Sequence, residues 1–197
     1  LAREVEETYV QARELCERLG ETPQLFPVLW GLSRVHNFRG ELEASRDLGK
    51  QLLTTAQRAQ DPALLLEAHH TLWATLFSLG ELVAAQAHTE NGLALYNPQQ
   101  HDRHAFLYGG HDPGVCGMNH AARQLWMLGY PDQALRRSEE GLALGRKLSH
   151  PFSLAQALFW LAWIRQQRGE VQAALELAEA VLRLGTAHGI PRWMVQG

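Results

Sequence analysis

Between Ala121 and Leu148 the chain reads AARQLWMLGYPDQALRRSEEGLALGRKL, with apolar and small residues recurring at helical spacing on both sides of one glycine. Met118, Ala121, Ala122, Leu125 and Leu128 lead into Gly129 on one helical face. After it come Ala134, Ser138, Gly141 and Gly145, a stripe of small residues flanked by Leu135, Leu142 and Leu148. The pattern predicts two helices folded back on each other at Leu128-Gly129-Tyr130. A glycine inside a helix costs roughly 1 kcal/mol against alanine. Two of them one turn apart predict a neighbouring helix too close for a larger side chain.

The same hairpin recurs along the chain. Turn glycines fall at Gly40 (FRGEL), Gly80 (SLGEL), Gly129 (MLGYP) and Gly169 (QRGEV), spaced 40, 49 and 40 residues apart. Pro23, Pro62, Pro113, Pro151 and Pro191 form a second ruler, spaced 39, 51, 38 and 40. Proline suits the first helical position, where its missing N–H is not needed. Thr22, Asp61 and Asp112 precede three of these prolines as N-cap residues. The expectation is an all-α, right-handed superhelical solenoid of antiparallel hairpins with a period of about 40. It forms one repeat domain over 1–197, with hairpins at 23–60, 62–96, 113–149 and 151–188 and partial repeats at 1–19 and 191–197. The irregular connection 97–112, NPQQHDRHAFLYGGHD, absorbs the longer third interval. A long connection inside a regular array is often functional. Stacked hairpins share one core and expose one concave face.

Composition narrows the function. A net charge of -3 and a pI near 6.4 give no basic face for nucleic acid. Cys16 and Cys116 are the only cysteines and make no CxxC pair, so neither a disulfide framework nor a thiolate zinc site is indicated, and a cytoplasmic setting is expected. No apolar run approaches the ~18 residues of a membrane span; Leu64 to Leu79 is interrupted by Glu67, His69 and His70. The chain opens LAREVEET and closes PRWMVQG, which suggests a piece of a longer multidomain protein. Self-association through exposed end hairpins is a further expectation for such a piece.

The turn glycine, an alanine or serine five residues on, and the small residues Gly92 and Gly141 twelve residues on resemble the tetratricopeptide repeat. The period is longer than in that repeat, and Leu52 and Val181 replace its small residue. A second resemblance lies in ETPQLFPVLWGLSRVHNFRGELEASRDLGKQLL, DPALLLEAHHTLWATLFSLGELVAAQAHTENGLALY and LYGGHDPGVCGMNHAARQLWMLGYPDQAL. These phrases are similar to the C-terminal repeat region of bacterial signalling proteins. Those proteins join an adenylate/guanylate cyclase or a protein kinase to an AAA-type ATPase. The resemblance implies a regulatory, non-catalytic interaction module. The chain has no GxxxxGK[ST] phosphate loop of its own.

The tetratricopeptide resemblance also implies that first-helix residues line the concave face. Carried over, this set contains Trp30, Arg34, Asn37, His70, Phe77, Asn119, His120, Arg123, Trp126, Phe159, Trp160 and Trp163. Tryptophan and arginine are the residues most often found as binding hot spots. Arg34 and Arg123 could grip a carboxylate or phosphate two-pronged. The competing reading is that the aromatics fill the interior; Trp73 falls on a packing position. His111 and Asp112, in GGHDPG, are expected to form a lid over one end of the groove. His101, His104, His111 and Asp112 invite a metal, against a solvated loop in which Asp112 caps a helix; no metal or cofactor is expected. Glu67 and His70 have the ExxH spacing of di-iron bundles, but only one copy exists. Gly109 and Gly110 lack phosphate-cradle spacing. The leading function is therefore a scaffold for a peptide or a partner domain, the catalytic parts of its own parent chain among the candidates. A metabolite sensor is the second reading, and a metal-dependent enzyme the third.

Overall fold

A computed structural model describes residues 3–20, 23–101 and 103–196, and eleven α-helices run through these described residues. They are α1 (Arg3–Arg18), α2 (Leu25–Arg39), α3 (Leu42–Ala59), α4 (Pro62–Leu79), α5 (Leu82–Leu95), α6 (His104–Leu107), α7 (Pro113–Met127), α8 (Pro131–Leu148), α9 (Pro151–Gln167), α10 (Val171–Ala187) and α11 (Pro191–Gln196). Successive helices pack as antiparallel hairpins, α2 on α3, α4 on α5, α7 on α8 and α9 on α10. None is long and apolar enough to cross a membrane.

Local chemistry sets the ends. Asp61 accepts from the N–H groups of Ala63 and Leu64, and Asp112 from that of Val115, at the N-termini of α4 and α7. Thr22 lies outside the described residues. Pro23 stands two residues ahead of α2, whose N-cap is Gln24 with no side-chain cap; this helix starts later than the proline ruler suggests. Gly80, at φ 80°, ends α4 in the left-handed region and donates its N–H to the carbonyls of Leu76 and Phe77.

The chain divides into two compact units, and the division falls within the irregular connection. The first holds residues 1–96 and 107–109, the second 97–106 and 110–197. Phe26, Leu29, Trp30, Leu48, Leu52 and Ala56 centre the core of the first. A chain of hydroxyls ties α2, α3 and α4 together there. Ser33 donates to Ser45, Ser45 to Thr75 (2.8 Å), and Thr75 to the Thr71 carbonyl (2.9 Å). In the second unit, Val115, Leu142, Leu158, Leu161, Val181 and Trp193 form the main core.

The small-residue stripe of α8 is where helices approach. A Cβ on Gly141 would stand 3.2 Å from Met118 Cβ and 3.3 Å from Asn119 Oδ1 on α7. One on Gly145 would meet the Leu154 backbone of α9 at 3.4 Å. The close neighbour inferred from sequence is real on both sides of the helix.

Candidate functional site

In the second unit, α7 and α9 present a run of partly exposed aromatics. Trp126 meets Trp163 edge-on at 6.3 Å, Trp163 meets Trp160 at 6.3 Å, and Trp160 meets Phe159 at 4.9 Å. The run continues inward through Trp193, Phe152 and His111. Arg123 places its guanidinium 3.9 Å from the Trp160 ring centroid, a cation–π contact. Burial holds that guanidinium down to about 10, with the Cys116 thiol acting in the opposite direction. Phe159 and Trp163 also line a cavity of about 430 Å³ with Ala162, Gln166, Val171, Ala174, Leu175 and Ala178. The lining is mostly apolar, and Val171 and Leu175 of α10 are exposed.

The structure thus brings together Arg123, Trp126, Phe159, Trp160 and Trp163 of the expected set. His120 is half-buried on the same helix as Arg123. Asn119 is placed elsewhere: it is buried, and its Oδ1 lies against Gly141 inside the α7–α8 packing. An amide there contacts the hairpin partner, not an open face.

In the first unit the expected residues are more enclosed. Trp30 and His70 are buried, with ring centroids 5.5 Å apart, and His70 stacks on Trp73 at 4.7 Å. His70 Nδ1 lies 2.9 Å from a carboxylate oxygen of Glu67, and both are buried. Asn37 donates to Thr75, at the end of the hydroxyl chain. Arg34 lies over Phe38 at 4.9 Å and Trp30 at 5.9 Å. Phe77 is half-buried on α4, beside the cluster of Leu72, Leu76 and Ala85.

The connection is not the solvated loop expected of the histidine cluster. His101 and His104 are 3% and 7% exposed, and His111 and Asp112 are buried as well. The reason is local folding: His101 Nδ1 accepts the Asn97 N–H, and α6 turns His104 inward to 4.8 Å from the His101 ring. Asp102 lies outside the described residues. The Asp112 N–H donates to Ser153 Oγ at 2.8 Å, and His150 Nδ1, which accepts the Ser153 N–H at the start of α9, lies 2.8 Å from the same Oγ. That leaves His150 neutral, in line with the downward shift that burial imposes on it. His111 and Asp112 are thus packing and capping groups of α7 and α9. Elsewhere, Glu6, His36 and Glu41 offer ligand atoms within 4.8 Å of one another, but Arg39 already pairs with Glu6.

Two features escaped sequence reasoning. The second-helix wall of the cavity is an apolar stripe, Val171, Ala174, Leu175 and Ala178, whose spacing along the second helix was not read as part of a site. Tyr108, a lone aromatic before two glycines, sits against Trp30 at 5.5 Å and Phe26 at 6.3 Å in the first unit.

No family model matches the chain. An uncharacterized protein of Rhizobium meliloti (strain 1021) is 30% identical over 155 residues, which is 76% of this chain. The chain spans 14% of the length of that relative. Among solved structures, a Rap protein complexed with competence and sporulation factor superposes with a TM-score of 0.80 at 14% identity, over 96% of this chain and 50% of the Rap chain. Structures of a Podosopora anserina putative kinesin light chain with nearly identical TPR-like repeats superpose with TM-scores of 0.64 and 0.61, each at 20% identity and covering 88% of that chain. The fold is a tetratricopeptide-like helical repeat. At these identities the structural likeness is one of fold.

Proposed function

We propose that this chain is a non-catalytic interaction and regulatory scaffold that binds a peptide or partner domain on the first-helix face of its second unit. The supporting observation is the aromatic wall of Trp126, Trp160 and Trp163, half-exposed, with Arg123 laid on Trp160 and an apolar cavity beside it. Large rigid side chains flanked by a cation are what interface hot spots are built from. Helical-repeat arrays commonly bind partners along extended faces, and the Rap neighbour is seen complexed with competence and sporulation factor. The three phrases that resemble repeat regions of bacterial cyclase– or kinase–ATPase proteins are what supports a place in such a parent. There, catalytic domains of the same chain would be partners.

One observation favours a metabolite instead: about 430 Å³ lies within the range of small-molecule pockets. Native mass spectrometry of the purified protein, followed by denaturation of the same sample, separates the two readings. A scaffold flies at its sequence mass or a multiple of it. A small mass released on denaturation would replace the scaffold reading with the sensor.

A further inference from the structure

Tyr108 is 5% exposed, whereas Phe106 and Leu107 before it are 82% and 60% exposed. Gly109 and Gly110 follow, both in the left-handed region, at φ 82° and 74°. One side chain is therefore inserted from a segment otherwise turned outward, on a backbone that only glycine adopts without strain. Its ring is received edge-on by Phe26 and tilted on Trp30, which itself meets His70. The two receiving rings lie on α2, the first helix of its hairpin, and His70 of α4 backs Trp30. The carboxylates of Glu67 and Asp61 are near enough to the phenol to add to the rise in its pKa that burial produces. The indole N–H of Trp30 is buried without a hydrogen-bond partner.

We propose that the aromatic pair Phe26 and Trp30 forms a binding site for a tyrosine side chain carried on a short peptide, and that Tyr108 fills it in cis. The enclosing rings supply an edge and a tilted face for a phenol, and the glycine pair lets the strap leave without disturbing either helix. A peptide in trans then competes with a tethered copy of its own anchor. Its apparent affinity is set by the fraction of molecules with the strap released. This site is separate from the aromatic wall of the second unit, so either proposal can fail alone.

The test uses the full chain and the synthetic peptide RHAFLYGG, residues 103–110. Titrated calorimetrically, the Tyr108→Ala variant should bind it, and wild type should bind roughly 10- to 100-fold more weakly. A peptide carrying Tyr108→Ala should not bind, and Trp30→Ala in the variant should abolish binding. In wild type, amides of 106–110 should exchange with deuterium faster than those of α2 and α4. A folded Tyr108→Ala protein that ignores the peptide would overturn the proposal. So would equal binding by wild type, or a Tyr108→Ala chain that fails to fold, because Tyr108 would then be core.

Discussion

Arg123 carries the sharpest residue-level consequence. With its guanidinium on Trp160 and its charge partly desolvated, it attracts an acidic group more strongly than a free surface arginine would. Arg123→Ala should weaken an acidic peptide by about tenfold, leaving the circular dichroism unchanged, while Arg123→Lys recovers only part because it loses the planar stacking contact. A second consequence concerns pH. His69 and His88 share a proton across 2.8 Å between their Nδ1 atoms, and burial with the neighbouring ring holds His69 down to about 4. Burial also lowers His88. The unfolded chain, with histidine near 6.5, therefore binds more protons than the folded one between about 6.5 and about 4. The stabilisation is complete above that window and lost as pH falls through it. Urea midpoints should drop across the window, and His69→Asn should flatten the drop without abolishing it, since His88 and His150 shift the same way. Arg123 was legible in the sequence as a groove cation, but the histidine pair was not. Histidines 19 residues apart do not announce a shared proton, and Asn119 gave no sign that its amide turns toward Gly141.

At the scale of the helix, glycine and its substitutes decide packing and termination. Gly141 sits against Met118 and Asn119 where α7 packs on α8. A leucine there would overpack the contact and should lower stability by about 1–3 kcal/mol in urea unfolding, despite its better helix propensity. The reverse holds at Gln60, a non-glycine residue at φ 51° that ends α3. Gln60→Gly removes that strain and should raise stability by up to about 1 kcal/mol; an unchanged midpoint would contradict the strain argument. Helices were readable because two independent punctuation marks agreed, proline at starts and glycine at turns. Pro62, Pro113, Pro131 and Pro151 each stand in the first turn of a helix. Pro23 does not, and its neighbours Gln24 and Leu25 offered no cap that would have revealed the later start.

At the scale of the whole molecule, periodicity was enough to read a helical-repeat fold, because each hairpin must bury its apolar face against the next. The 97–112 stretch was the exception. Its polar, histidine-rich composition reads as solvent-facing, yet tertiary contacts bury His101, His104 and Tyr108 and divide the stretch between two compact units. Sequence patterns report local period and punctuation; they do not report which pocket a single aromatic will find. The aromatic wall was half legible for the same reason. Its first-helix members followed from the repeat, while its second-helix partners Val171 and Leu175 did not. The central claim is that this wall binds peptide, and one selection tests it directly. A displayed random-peptide library would be enriched on the wild-type protein, and the winners titrated against wild type and the Trp160→Ala/Trp163→Ala variant. The account predicts winners rich in acidic and apolar residues whose affinity falls at least about tenfold in the folded variant. Winners that bind the variant as tightly as wild type would contradict it.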